Sequence, residues 1–139
     1  MRPLRFGLLI NPVAGVGGTV ALKGSDGQSV QEEALARGGV PRGEERVRRA
    51  LAVSERAADV HWLTWGGRMG EAVLAALELP HVVLGRPGGA TDALDTRTAA
   101  QAMLDQGVDL LIFAGGDGTA RDVHSVVGQT LPVLGIPAG

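Results

Sequence analysis

The chain has no cysteine and no tyrosine, and its 139 residues include only two tryptophans and two phenylalanines. Without cysteine there can be no disulfide framework and no thiolate metal site. So few rings leave little with which to stack bases on an open sheet. A formal net charge of −2 supplies no general pull towards nucleic acid or an anionic membrane surface. No stretch reaches the apolar length of a membrane span. The N-terminal region is interrupted by Pro3, Arg5, Asn11, Pro12 and Gly15, which leaves no signal-peptide core. The expectation is a cytoplasmic protein with small-molecule partners and with neither nucleic acid nor membrane among them.

What the chain has in quantity is glycine, 22 residues of it, and aliphatic side chains that dominate a hydrophobic fraction of 45%. A length of 139 residues suffices for one domain with a sizeable core and is too short for two ordinary ones. Residues 1–139 are therefore read as a single α/β domain. Phe6–Ile10 reads as a first strand stopped by Asn11-Pro12, and residues 13–28 form a long glycine-rich loop. Ser29-Val30-Gln31-Glu32 matches a helix capping box, with Gly38 as a terminator. A second helix is expected over Arg42 to Ala58, its Arg46, Arg48 and Arg49 forming a solvated face paired with Glu44, Glu45 and Glu55. Further strands are expected over 60–64, 81–85, 110–114 and 132–136. Helices are expected over 69–77, from Asp95 or Thr96 to Gly107, and over 119–127.

Strands alternating with helices imply an open, mostly parallel sheet with helices on both faces and right-handed crossovers. In such a sheet the segments after each strand share one edge, so Asn11-Pro12, Trp65-Gly66-Gly67, Gly85-Arg86-Pro87 and Gly115–Gly118 converge on one crevice. The densest chemistry there is Gly115-Gly116-Asp117-Gly118-Thr119. It could be a plain tight turn with a helix cap. Between a buried-type strand and a helix it reads instead as a phosphate site. The glycines clear Cβ atoms from the amide N–H groups and permit positive φ, and the helix that starts near Thr119 turns its positive end to the same spot. Asp117 puts a carboxylate inside that site, able to accept or orient a hydroxyl proton, while the amides of Gly116, Gly118 and Thr119 hold phosphate oxygens.

Other candidates carry two readings each. Asn11 can bond ligand oxygens or simply end a strand. Lys23, the single lysine, can neutralise a phosphate or sit solvated in its loop. Asp26-Gly27 is a turn or a water-mediated Mg²⁺ contact. Arg121 either reaches phosphate or is an exposed helix residue. Trp65 is a candidate pocket-lining ring. His61, His81 and His124 lack metal-ligand spacing, and no metal site is read from the chain. There is no Walker A loop, because Leu22 precedes Lys23, and Val20 spoils a dinucleotide fingerprint begun at Gly15.

Asn11-Pro12-Val13-Ala14-Gly15 together with Gly115-Gly116-Asp117-Gly118-Thr119 is similar to the paired signature of the NAD kinase and diacylglycerol kinase superfamily. Gly17-Gly18, Leu22-Lys23-Gly24-Ser25-Asp26-Gly27, Thr91 with Asp95-Thr96, Thr119-Ala120-Arg121-Asp122-Val123 and Leu134-Gly135-Ile136-Pro137-Ala138-Gly139 narrow the resemblance. They look like the predicted ATP-NAD kinase branch that includes acetoin-catabolism-associated members. In the lipid-kinase branch Asn-Glu usually follows the Gly-Gly-Asp-Gly-Thr run, whereas Arg121-Asp122 stand nearby here, which favours the nucleotide branch. The glycine-rich insertion with Lys23 and Asp26 departs from typical NAD kinases.

The resemblance implies phosphorylation of the adenosine ribose 2′-hydroxyl of NAD, with ATP or polyphosphate as donor and Mg²⁺ as cofactor. It implies Asp117 as the catalytic carboxylate. Nucleotide or phosphate contacts would come from Asn11, Pro12, Gly15, Gly17, Gly18, Lys23, Gly115, Gly116, Gly118, Thr119 and Arg121. It also implies a following β-rich domain and a homo-oligomer in the full-length protein, so the 139 residues alone are expected to bind nucleotide weakly and turn over little. A non-catalytic NAD- or ATP-binding regulatory module and a diacylglycerol-type lipid kinase are the alternatives.

Overall fold

The computed structural model describes residues 3–12, 42–88 and 93–138. The glycine-rich stretch with Gly15, Gly17, Gly18, Lys23 and Asp26, the capping box from Ser29 to Glu32, Gly38 and Thr91 all lie outside them. In chain order the described elements are β1 (Arg5–Ile10), α1 (Arg42–Ala52), β2 (His61–Thr64), α2 (Glu71–Ala76), β3 (His81–Val83), α3 (Ala93–Gln106), β4 (Leu110–Gly115), α4 (Asp117–Val127) and β5 (Val133–Pro137). Short 3-10 turns at Ala57–Asp59 and Gly67–Met69 precede β2 and α2.

The buried aliphatic strands β1, β2 and β4 form the middle of a five-stranded sheet in the order β3-β2-β1-β4-β5, with the more exposed β3 and β5 at its edges. All four pairings are parallel. Side chains alternate across the sheet and seed two cores. On one face Leu8, Ile10, Trp62, Ile112 and Ala114 meet Val47 of α1 and Val73 and Leu74 of α2. On the other, Leu9, Leu63, Leu111 and Phe113 meet Ala99, Ala100 and Met103 of α3 and Val123 and Val127 of α4. Helices thus cover both faces, as the alternation of elements implies. Each fully buried leucine contributes roughly 1.5–3 kcal/mol against exposure. Small residues let the layers close. The Sδ of fully buried Met103 lies 2.7 Å from where a Cβ on Gly7 would stand. The entrance to β1 is tied to β4 by Arg5 N–H to Asp109 Oδ2 (2.9 Å) and Asp109 N–H to the Arg5 carbonyl (2.7 Å).

Several boundaries differ from the sequence expectation. The helix expected to reach Ala58 ends at Ala52. Ala57 is buried and its carbonyl accepts the Trp62 indole N–H at 2.8 Å, so the chain leaves the helix axis to dock that turn on β2. α2 begins at Glu71 because Gly70, at φ +149°, breaks the path: a Cβ there would sit 1.9 Å from Thr64 Oγ1. α3 is already helical at Ala93, so Asp95 and Thr96 do not cap it. Asp95 stands in the first turn and Thr96 is buried beneath the helix. β3 stops at Val83. The expected all-solvent face of α1 is also divided. Glu45 pairs with Arg48 (2.6 Å) and Arg49 (2.8 Å), and Glu44 pairs with Arg68 of the turn after β2 (2.7 Å). Arg46 instead donates to the carbonyl of Pro137 at the end of β5. No helix among the described residues is long and apolar enough to cross a membrane.

Candidate functional site

Strand order reverses between β1 and β4: β2 and β3 extend to one side of β1, β4 and β5 to the other. Helices leave in opposite directions at that point, and a crevice opens beyond the strand ends. Asn11-Pro12 and Gly115-Gly116 occupy those two ends side by side, and the Asn11 N–H donates to the Ala114 carbonyl at 2.9 Å. The two segments that the sequence reading joined by resemblance are therefore neighbours in space.

α4 starts at Asp117, two residues earlier than expected, because the Ala120 N–H already bonds the Gly116 carbonyl (3.1 Å). Gly116 is the N-cap, and no side chain among the described residues caps the helix. The amides of the first turn thus face the crevice with the positive end of the helix behind them. Asp117 is the first helical residue and is exposed, while Gly118 has open space around it.

Gly115, Gly116 and Gly118 do not serve the site through positive φ, which among described glycines occurs at Gly67, Gly70, Gly107 and Gly128. At Gly115 the reason is close approach. A Cβ would lie 2.3 Å from Thr119 Oγ1 and 2.5 Å from Thr119 Cβ, so only glycine lets the first turn of α4 fold back on the strand end.

Thr119 itself is 4% exposed, and its hydroxyl accepts a hydrogen bond from Asn11 Nδ2 at 3.1 Å. Its amide belongs to the open turn, but its side chain points into the protein. Arg121 falls in the second turn rather than the first, one turn beyond Asp117 on the exposed side. Pro12 is buried, and its carbonyl accepts from Arg68 Nη2 at 3.4 Å. A cleft of about 340 Å³ lies beside this turn, walled by Phe113, Gly116, Asp117, Gly135 and Pro137. Gly135 leaves room for the Phe113 ring, whose Cζ would be 2.9 Å from a Cβ.

The neighbouring rim, after β2 and β3, is organised differently. The Gly67 amide donates to Glu71 Oε1 (2.8 Å), and Arg86 pairs with the same carboxylate at 2.8 and 3.2 Å. The Arg86 guanidinium, followed by the Gly67 N–H, holds the Glu71 carboxyl below its ordinary value near 4.5. Trp65 is 7% exposed, part of the core and seated on Gly85, so it does not line the cleft. Among the histidines, His61 and His124 are exposed and His81 Nδ1 donates to the Leu79 carbonyl (2.8 Å). Among the described residues no three His, Asp or Glu side chains group as metal ligands.

Three supporting residues had no distinct signal in the sequence. Arg46 and Arg68 look like ordinary surface arginines, yet they hold the ends of β5 and β1. Gly43, in the first turn of α1, lies under Asn11, where a Cβ would be 3.3 Å from the Asn11 carbonyl oxygen.

The profile of the ATP-NAD kinase N-terminal domain matches residues 10–139. No curated protein and no solved structure matches the chain.

Proposed function

The chain belongs to the ATP-NAD kinase N-terminal domain family, and from that premise we propose that it forms the nucleotide-binding part of an enzyme phosphorylating the adenosine ribose 2′-hydroxyl of NAD. The observation that carries this reading is the uncapped first turn of α4, with Asp117 as its leading residue, at the point where strand order reverses. Phosphoryl transfer asks mainly for positioning and for stabilisation of spreading negative charge. Open amides of Gly116, Gly118 and Thr119 at a helix N-terminus supply the second without any charged side chain.

Asp117 supplies the proton acceptor. As the ribose 2′-oxygen bonds to the terminal phosphorus of the donor, its proton passes to the Asp117 carboxylate. The bond from that phosphorus to its bridging oxygen breaks, and the departing ADP or shortened polyphosphate keeps the electron pair. One carboxylate at the turn, with no ligand cluster among the described residues, does not make a dedicated Mg²⁺ cage. The ion is read as arriving on the donor phosphates, as part of the substrate.

The test is NADP formation with Mg-ATP and then polyphosphate, using this chain and the full-length product of its gene. Activity in either supports the reading. Silence in both, with NAD or ATP still binding by calorimetry, would replace it with a non-catalytic binding module. Transfer to diacylglycerol instead of NAD would replace it with a lipid kinase.

A further inference from the structure

A helix start without a side-chain cap has to be aimed by something else, and the described residues contain one such device. The Thr119 hydroxyl is buried at the junction of three elements. It accepts from Asn11 Nδ2 at the end of β1 (3.1 Å), and its side-chain atoms lie 2.3–2.8 Å from the place a Cβ would take on Gly115 at the end of β4. Asn11 is in turn fixed to β4 through its own N–H to the Ala114 carbonyl (2.9 Å). We infer that Asn11 and Thr119 are a positioning pair: their side-chain hydrogen bond sets the direction of the first turn of α4, and so of its open amides and Asp117, relative to the strand ends. This reassigns the Asn11 side chain from ligand contact to alignment and gives the Thr119 hydroxyl a role beside its amide. Its catalytic consequence rests on the phosphotransferase reading, while the contact itself does not.

The experiment is a double-mutant cycle on the full protein with Thr119→Val, Asn11→Ala and both together, and Thr119→Ser as the conservative control. Valine keeps the volume of threonine but turns a methyl towards the Asn11 amide. Each single variant is expected to lower kcat by about 10²-fold, since small misplacements of reacting groups have that effect. The double variant is expected to be no slower than the slower single one, and KM for NAD to move far less than kcat. Thr119→Ser should stay within about threefold of the parent.

Heteronuclear NMR gives a readout independent of turnover. The amide resonances of Asp117, Gly118 and Thr119 should shift in both single variants, without further change in the double one. Additive losses of kcat, or unshifted amides, would overturn the pair. If the parent protein forms no NADP, the phosphotransferase reading falls and the amide resonances alone decide the alignment: coupled shifts uphold it and independent shifts remove it. Should Thr119→Val melt below the assay temperature, Asn11→Ala, at a half-buried position, decides the matter, and parental kcat with parental amide resonances there would overturn it.

Discussion

Two glycine-pair loops stand on the same edge of this sheet, one after β2 and one after β4, and they end in opposite states. After β2, Gly67 gives its amide to Glu71, and Glu71 is held by Arg86 from the loop after β3, so the chain supplies its own anion and its own counter-ion. After β4, Gly116 caps a helix that receives no side-chain cap from the described residues. The first loop answers its own amide, whereas the first turn of α4 takes no side-chain cap from the described residues. Glycine content therefore does not by itself make a phosphate site; free amides at a helix start are what a phosphate needs.

The contrast fails first at Asp117. If the open loop carries the chemistry, Asp117→Asn lowers kcat by about 10²–10⁴-fold. Thermal melts should remain superimposable on the parent, because the side chain is exposed. Full turnover by a well-folded Asp117→Asn protein would remove the catalytic assignment.

Gly115→Ala probes how the open loop is built. The new methyl has no room against Thr119, so stability should fall by about 1–3 kcal/mol, lowering Tm by roughly 3–10 °C in calorimetry. Gly118→Ala separates the two uses of glycine within one turn. Open space surrounds this position, and alanine favours a helix, so stability should hold or rise by about 0.5 kcal/mol. Nucleotide affinity should weaken by about tenfold, which isothermal titration would register.

The closed loop gives the smallest effect. The Glu71 carboxyl is held below its ordinary value near 4.5 in the folded protein. Its contribution is therefore complete above that value and is lost as pH falls through the lower folded one. Tm against pH should drop more steeply at acid pH in the parent than in Glu71→Gln, and parallel acid limbs would show that the carboxylate does not close the loop.

Much of this was legible in the chain. Aliphatic runs such as Leu110–Phe113 can only be buried strands here, and their alternation with helical spacing leaves a parallel sheet as the economical arrangement. The profile match bears out the family read from Asn11-Pro12 and the Gly115–Thr119 run. What could not be read depended on distant partners. Nothing local says that a helix over residues 42–58 must break, because the cause is Trp62 claiming the Ala57 carbonyl. Nothing at Thr119 says that its hydroxyl turns inward, since the partner lies 108 residues away. The same holds for Arg46, whose partner is the end of β5.

The packing of Met103 against Gly7 has a consequence in redox chemistry. Met69 and Met103 are both fully buried, and the sulfur of Met103 packs over Gly7, 2.7 Å from where a Cβ there would stand. Peroxide can reach these two thioethers only in molecules that have opened, and a sulfoxide at Met103 would block its repacking on β1. Oxidation would then act as a ratchet, its rate counting openings of the layer under α3 and each event retiring one molecule from the folded pool.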